Sequence, residues 1–160
     1  MSLKKEEVKK MSIFYLGNQS LLDLPKTAYL ASSTIPVDMV LKSYDWAVKM
    51  REEGQCIISG FSSKLEKDVW DFLVCGKQPI ILVLAREMYK RIPPELQPLL
   101  DANRLLIIST SSSPRQSRAT AFARNKYICE TAEKILFIVA DDRSSLASLQ
   151  HTFKSKCIAL

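Results

Sequence analysis

Glycine is scarce in this sequence. The 160 residues include four glycines, although backbone that cradles a phosphate group commonly needs several of them for close approach. Histidine is scarcer still: the single one, His151, stands between Gln150 and Thr152, and no Gly-x-Ser-x-Gly segment is present. These absences argue against nucleophilic catalysis. We therefore expect a protein that binds a ligand without enzymatic activity.

Long apolar runs and closely spaced cysteines are also missing. No stretch approaches the roughly 18 apolar residues of a membrane span, and the charged start of the chain has no apolar signal core. The four cysteines lie far apart, without any C-x-x-C spacing, at Cys56, Cys75, Cys129 and Cys157. This spacing disfavours a metal site and a disulfide framework. We expect a cytoplasmic protein with buried thiols, no bound metal and no cofactor.

Acidic residues are absent from residues 102–129, which we name the basic tract. Its basic side chains are Arg104, Arg115, Arg118, Arg124 and Lys126. Nearly all of the net charge of +6 lies there. An apolar run, a serine-rich loop and a helix start follow one another, so N–H, hydroxyl and guanidinium groups can converge on one phosphate. The tract therefore favours nucleic acid or nucleotides as ligands, and a solvated loop with a basic helix face is the alternative.

Short apolar runs alternate with helical patterns along the chain. The runs indicate buried strands at 28–31, 56–58, 80–84, 105–108, 135–140 and 157–160. The spacing of apolar residues predicts helices at 37–53, 64–74, 118–131 and 144–153. The proline-containing stretch 86–101 predicts an irregular loop with at most a short helix. This order predicts a single-domain, three-layer, Rossmann-like α/β fold with a doubly wound parallel sheet.

Polar residues follow most of the predicted strands. In a doubly wound sheet the ligand binds beyond the carboxyl ends of the strands, near the point where the strand order reverses. Segments that are rich in hydroxyl groups or carry a basic residue occur there at 32–34, 59–64, 85–87, 109–118 and 141–145. We interpret the paired Asp141 and Asp142 as a turn and a helix cap, since adjacent carboxylates point to different sides. The other segments predict an anion pocket made by several loops.

Four segments resemble motifs of one protein family. They are YLGNQSLLDLP at 15–25, SGFSSKLE at 59–66, RNKYI at 124–128 and RSSL at 143–146. The corresponding patterns, YxGxxxLL, SGLARGID, RNRII and SGSL, belong to the core domain of the DNA-processing family DprA, also called Smf. The resemblance implies a DprA/Smf-type Rossmann-like domain over 15–160. We expect residues 1–14 to be an N-terminal extension, with part of a cloning leader at residues 1–3.

Several positions depart from the family pattern. Ser33 stands where the family's first strand ends in Arg, and residues 62–66 replace Ala-Arg-Gly-Ile-Asp, so two arginines and several glycines are lost. Gly60 is retained, and so is Ser145. We therefore expect weakened phosphate binding. The candidate binding residues are Ser32, Ser33, Ser59, Gly60, Ser63, Lys64, Arg115, Arg118, Arg124, Asn125, Lys126 and Ser145.

The resemblance implies binding of single-stranded DNA in DNA uptake and recombination, with delivery of a RecA-type recombinase to it. Phe61, Phe122 or Tyr127 would then supply a stacking surface for bases, with a core position as the alternative for each. Acidic residues such as Glu66 alternate with lysines over 64–71, which predicts an ordinary solvated helix face there.

Other functions stay open at this point. One is a pocket for a nucleotide or another small phosphate ligand. Another is a diverged scaffold for protein–protein interaction, which the lost glycines and arginines favour. A homodimer is compatible with each of these functions.

Overall fold

The structure is a computed structural model that describes residues 12–160. Most of the predicted N-terminal extension, 1–14, lies outside the described residues. The elements in chain order are β1 (Phe14–Gly17), β2 (Lys26–Ala31), α1 (Val37–Glu53), β3 (Cys56–Ser59), α2 (Lys64–Val74), β4 (Ile80–Leu84), α3 (Gln97–Asp101), β5 (Leu105–Ser109), α4 (Arg118–Thr131), β6 (Lys134–Ile138), α5 (Ser145–Thr152) and β7 (Cys157–Ile158).

The strands form one sheet in the order β1-β5-β4-β3-β2-β6-β7. From β2 the chain runs outward to β5 and then returns to place β6 on the other side of β2, so the strand order reverses there. All neighbouring strands are parallel except β1 and β5. The predicted doubly wound α/β fold is confirmed, with one antiparallel edge strand in addition.

Helices cover both faces of the sheet. Side chains of α1, α2 and α3 pack on one face and those of α4 and α5 pack on the other. Strands β2 to β5 are consequently buried along their whole length. This two-sided burial explains why their sequences are continuously apolar rather than alternating.

The helix ends follow local sequence signals. Helix α1 ends at Gly54, whose φ of 69° is the left-handed conformation that glycine adopts without strain. Helix α2 begins with a capping box, in which Ser63 accepts from the N–H of Glu66 and the Glu66 side chain accepts from that of Ser63. Ser117 and Thr120 form the same arrangement at the start of α4. The starts of α2 and α4 are therefore held by side chains of their own first turns, whereas Pro36 at the start of α1 makes no side-chain cap bond.

The connection from β4 to β5 has no long helix, as its prolines predicted. It contains a 3-10 turn at Pro94–Leu96 and the five-residue α3. Leu82 and Leu84, on the face that this connection covers, keep 7% of their surface exposed, whereas Ile81 and Val83 on the opposite face keep none. The short crossover thus leaves a gap over the end of β4.

The cysteine prediction is right for two residues and wrong for one. Cys56 and Cys129 are buried. Cys75 is exposed, because it follows the last turn of α2 where that helix leaves the core. Cys157 is partly buried, on the short edge strand β7. Among residues 12–160, no helix is long and apolar enough to cross a membrane.

Candidate functional site

A cavity of about 300 Å³ lies where the strand order reverses. Its walls come from the end of β2, the start of α2, the middle of α4 and the start of α5, so four separate segments meet there. The lining residues are Ala31, Ser32, Ser33, Ser62, Ser63, Glu66, Arg124, Asn125, Ser144, Ser145 and Leu146. We name this the switch-point cavity. Its position agrees with the general site of ligand binding in doubly wound sheets.

Glu66 is a buried carboxylate within this cavity. It is 4% exposed, so the prediction that it belongs to a solvated helix face is wrong. One carboxylate oxygen, Oε2, accepts from the N–H of Ala31 at 2.9 Å. The other, Oε1, accepts from the N–H groups of Ser62 at 2.8 Å and Ser63 at 3.2 Å. Backbone donors that could have held a ligand anion are therefore occupied by the chain's own carboxylate.

Arg124 is buried opposite Glu66. It is 3% exposed, its Nη1 donates to the carbonyl of Val83 at 3.2 Å, and its Nε donates to Oδ1 of Asn125 at 2.7 Å. Burial lowers the pKa of the guanidinium, and the charge of Glu66 partly opposes that effect. The two charges nearly cancel, so the deep part of the cavity is close to neutral.

Gly60 makes room for Arg124. A Cβ atom at position 60 would overlap the guanidinium group. The retained glycine is therefore needed for packing against a side chain of this chain. Close approach of a phosphate is not what explains it.

Unused hydrogen-bonding capacity lies beside this charge pair. Within residues 12–160, the Ser32 hydroxyl oxygen is buried and has no hydrogen-bond partner. Ser144 caps α5 by accepting from the N–H of Ala147 at 3.2 Å, and the first N–H groups of a helix have no intrahelical partner. Because Ser145 and Leu146 line the cavity, these N–H groups and the Ser32 hydroxyl can serve an anionic or hydroxyl-bearing ligand.

Six of the twelve predicted site residues line the switch-point cavity. They are Ser32, Ser33, Ser63, Arg124, Asn125 and Ser145. Sequence reasoning missed Ser62, Glu66 and Ser144 as site residues. The pattern Ser-x-x-Glu from Ser63 to Glu66 is a capping-box signal, and it could have located Glu66 at the cavity.

The other six predicted residues lie outside the cavity. Ser59 is buried, and its hydroxyl accepts from the N–H of Phe61 at 3.1 Å. Lys64 is exposed and pairs with Asp68 at 3.5 Å. Gly60 packs against the buried arginine as described above. The exposed members are Arg115, Arg118 and Lys126.

Three exposed residues lie along one face of α4. Arg118, Phe122 and Lys126 are four residues apart, and this spacing places them on the same side of a helix over about 12 Å. Phe122 is 39% exposed, so it fits the predicted stacking surface. Phe61 does not, because it is 7% exposed and packs edge-on against Trp70.

Tyr127, the third aromatic predicted to stack, is half-buried. Burial raises the pKa of its phenol to about 12. Its ring packs against the core cluster on the α4 side of the sheet, which favours the core interpretation of this residue.

The loops after β4 and β5 are tied together. Ser109 donates its hydroxyl to the carbonyl of Arg86 at 2.6 Å, and Thr110 donates to that of Leu84 at 2.8 Å. The N–H of Glu87 donates to the carbonyl of Ser113 at 2.8 Å. The basic segment around Arg115 is thus anchored to the neighbouring strand end.

The turn predicted at Asp141 and Asp142 has the expected geometry, but the predicted helix cap there is wrong, because Ser144 is the residue that caps α5. Asp141 accepts from the N–H of Arg143 at 2.9 Å, and its carboxylate lies 3.7 Å from the guanidinium. In the described part of the chain, no three His, Cys, Asp or Glu side chains are grouped so as to hold a metal ion. The absence of a metal and of a cofactor stays a prediction.

The sequence matches a known protein family. The sequence model of the family described as DNA recombination-mediator protein A matches residues 1–156. The chain belongs to this family. The match confirms the resemblance to DprA that the four sequence motifs indicated. No protein of curated function matches the sequence.

Two DprA structures share the fold. DprA from Streptococcus pneumoniae superposes with a TM-score of 0.73 at 21% identity, over 92% of this chain and 54% of that protein. DprA from Helicobacter pylori superposes with a TM-score of 0.71 at 18% identity, over 92% of this chain and 70% of that protein. That structure is described as showing the single-stranded DNA binding mode of the Helicobacter pylori protein. This DprA-family chain therefore spans about half the length of the first relative.

A more distant fold relative is the molybdenum cofactor binding protein of Rippkaea orientalis. It superposes with a TM-score of 0.57 at 11% identity, over 84% of this chain and 75% of that one. The Rossmann-like architecture is thus shared between DprA proteins and proteins with different ligands, so the fold alone does not identify the ligand.

Proposed function

We propose that this chain binds single-stranded DNA along the carboxyl edge of its sheet and does not catalyse a reaction on it. The observation that carries the proposal is the exposed face of α4, where Arg118, Phe122 and Lys126 alternate basic and aromatic side chains. Such alternation suits single strands, because cations contact phosphates while an aromatic ring stacks on a base. Membership of the DprA family supports the same ligand.

The switch-point cavity has a secondary part in this proposal. Because Glu66 and Arg124 nearly neutralise each other, the cavity attracts an anion mainly through N–H groups at the start of α5 and through the Ser32 hydroxyl. The exposed Arg115 and Arg118 supply the net positive charge. We infer that affinity depends more on the surface cations than on the cavity.

The wider role belongs to the same proposal. By family, the chain would act in the cytoplasm in DNA uptake and recombination and deliver a RecA-type recombinase to single strands. Residues 15–160 would form the DprA-type domain. A homodimer is compatible with this role, because β1 and β7 are the edge strands of the sheet formed by residues 12–160, and an edge strand can pair with a strand of another chain.

The test is oligonucleotide binding by a triple variant, R115A/R118A/K126A, across several salt concentrations. Arg124 is left intact because it is buried. Loss of three phosphate contacts should lower affinity at least tenfold and reduce the slope of log K against log salt by about 2. The control, K77A/K134A/K154A, removes three exposed lysines near the amino ends of the strands. Equal affinities for both triple variants would refute the proposal.

A second candidate function is binding of a mononucleotide. The Ser32 hydroxyl, which has no hydrogen-bond partner in the described part of the chain, favours it, and a cavity of about 300 Å³ is at the small end of ligand sites. Displacement of the oligonucleotide by AMP or ATP would support this candidate. Absence of any binding at low salt would instead favour the diverged scaffold, in which Glu66 has permanently closed the anion site.

A further inference from the structure

A second cavity opens at the same edge of the sheet, on the other side of the β3–α2 loop. It has a volume of about 290 Å³ and a mostly apolar lining. Its floor is formed by two leucines of β4, and its walls include the aromatic rings of Phe61, Trp70 and Tyr89. We name it the aromatic cavity. Of the twelve candidate binding residues predicted from the sequence, one, Gly60, lines it.

The architecture of the fold accounts for this opening. The short β4–β5 connection does not cover the end of β4, so Leu82 and Leu84 stay in contact with solvent. Trp70 and Tyr89 flank the gap and are themselves half-buried. Flat rings with accessible surface around an apolar floor suit a planar apolar group.

One strained residue links the two cavities. Phe61 has a φ of 46°, a left-handed conformation that is costly for a bulky residue and concentrates at functional sites. Its N–H is held by the buried Ser59 hydroxyl. With this backbone turn, the Phe61 side chain lines the aromatic cavity, while the next two residues, Ser62 and Ser63, line the switch-point cavity.

We propose that the aromatic cavity binds one nucleobase of the DNA strand, an inference that rests on the proposed function. The base would stack on the accessible ring surface of Trp70 and Tyr89. Lys67 and Glu95 lie at the rim and offer a donor and an acceptor to the base edge. The Arg86 guanidinium, 5.4 Å above the Tyr89 ring, is placed to meet the adjoining phosphate.

Tryptophan fluorescence provides the test, because the chain has two tryptophans. Trp46, a partly buried residue of α1, stacks on the core residue Tyr29, so a W46F background leaves Trp70 as the tryptophan that reports on the aromatic cavity. We would titrate this protein with oligothymidylate and with an abasic oligonucleotide of equal length. The expected result is quenching of Trp70 by the first oligonucleotide and at least fivefold weaker binding of the second.

Two further variants locate the base. Y89A should reduce oligothymidylate binding to the abasic level, and E95A, at an exposed rim position that cannot disturb the core, should weaken it about threefold without affecting the abasic strand. F14A is the matched aromatic control, because Phe14 is 53% exposed on the edge strand β1 and lines neither cavity, and it should retain the preference for bases. A preference for bases that is kept in both Y89A and E95A would overturn the inference.

The remaining outcomes separate the two proposals. If both oligonucleotides bind equally and Trp70 does not respond, the aromatic cavity is not a base site, although DNA binding stands. If neither binds, DNA binding itself fails. Quenching by a phenylalanine-containing peptide but not by oligothymidylate would overturn the inference in favour of a protein partner.

Discussion

The backbone of Gly60 lies directly against the guanidinium group of Arg124. A Cβ atom at position 60 would be only 2.8 Å from Nε and closer still to Cζ and Nη1. The end of β3 and helix α4 therefore meet at a contact that leaves no room for a side chain at position 60.

We predict that Gly60→Ala destabilises the fold by about 2 to 3 kcal/mol, because the added methyl group overpacks a buried site. Displacement of the guanidinium would also weaken its bond to Val83. Urea unfolding followed by circular dichroism measures the change. Gly54→Ala is the control: nothing lies within 4 Å of that position, so only its left-handed backbone should cost about 1 kcal/mol. Equal losses in the two variants would contradict the packing argument.

The buried carboxylate of Glu66 should have opposite effects on stability and on DNA affinity. Glu66→Ala leaves three backbone N–H groups without their acceptor, and we expect a loss of about 3 kcal/mol. Glu66→Gln keeps an acceptor oxygen and removes the negative charge, so it should cost less stability and raise affinity for single-stranded DNA about 5- to 10-fold.

Fluorescence anisotropy with a labelled oligonucleotide measures the affinity effect of Glu66→Gln. Glu130→Gln is the matched control, because it removes one negative charge from an exposed position near the far end of α4. A gain in affinity as large for Glu130→Gln as for Glu66→Gln would show that overall charge, rather than the buried carboxylate, limits binding.

Two buried thiols should make the protein sensitive to alkaline pH. Burial raises the pKa of Cys56 and that of Cys129 to about 12, whereas an unfolded thiol titrates near 8.5. Between about pH 9 and pH 12 the unfolded chain has lost protons that the folded chain keeps. The free energy of unfolding should therefore fall as the pH rises above about 9.

Unfolding curves at pH 8, 9 and 10 test this expectation. Cys129→Ala should make the decline with pH shallower, while Cys75→Ala should not change it, because Cys75 is exposed. Thiol labelling of the folded protein at pH 8 should modify Cys75 first. An unaltered decline in the Cys129→Ala variant would assign the pH dependence to other groups.

Most of the sheet could be predicted from the sequence because parallel strands covered on both faces are continuously apolar. Strand β1 could not be predicted in this way. Its residues Phe14 and Tyr15 are exposed at the sheet edge, and its pairing with β5 joins segments about 90 positions apart in the chain. A four-residue edge strand has neither the length nor the burial pattern that local reasoning uses.

The position of the candidate site could be predicted from the sequence, but the chemical character of its lining residues could be predicted only in part. Strand ends rich in hydroxyl groups indicated the right edge of the sheet. The burial of Glu66 and Arg124 could not be deduced from composition, because a charged residue close to each of them on the same helix, Lys67 on α2 and Lys126 on α4, is exposed. Their burial depends on long-range partners: Ala31 for Glu66, and Gly60 with Val83 for Arg124.

The hydrogen bonds from Ser109 to Arg86 and from Thr110 to Leu84 connect two loops that would both contact a bound DNA strand. Because they fasten the loop that carries Arg115 to the loop beside Tyr89, ordering of either loop restricts the other. A nucleotide held at one end would thus slow amide hydrogen exchange at both. Binding of one nucleotide would then raise the affinity for its neighbour, because the first has already ordered both loops, even if the two nucleotides do not touch each other.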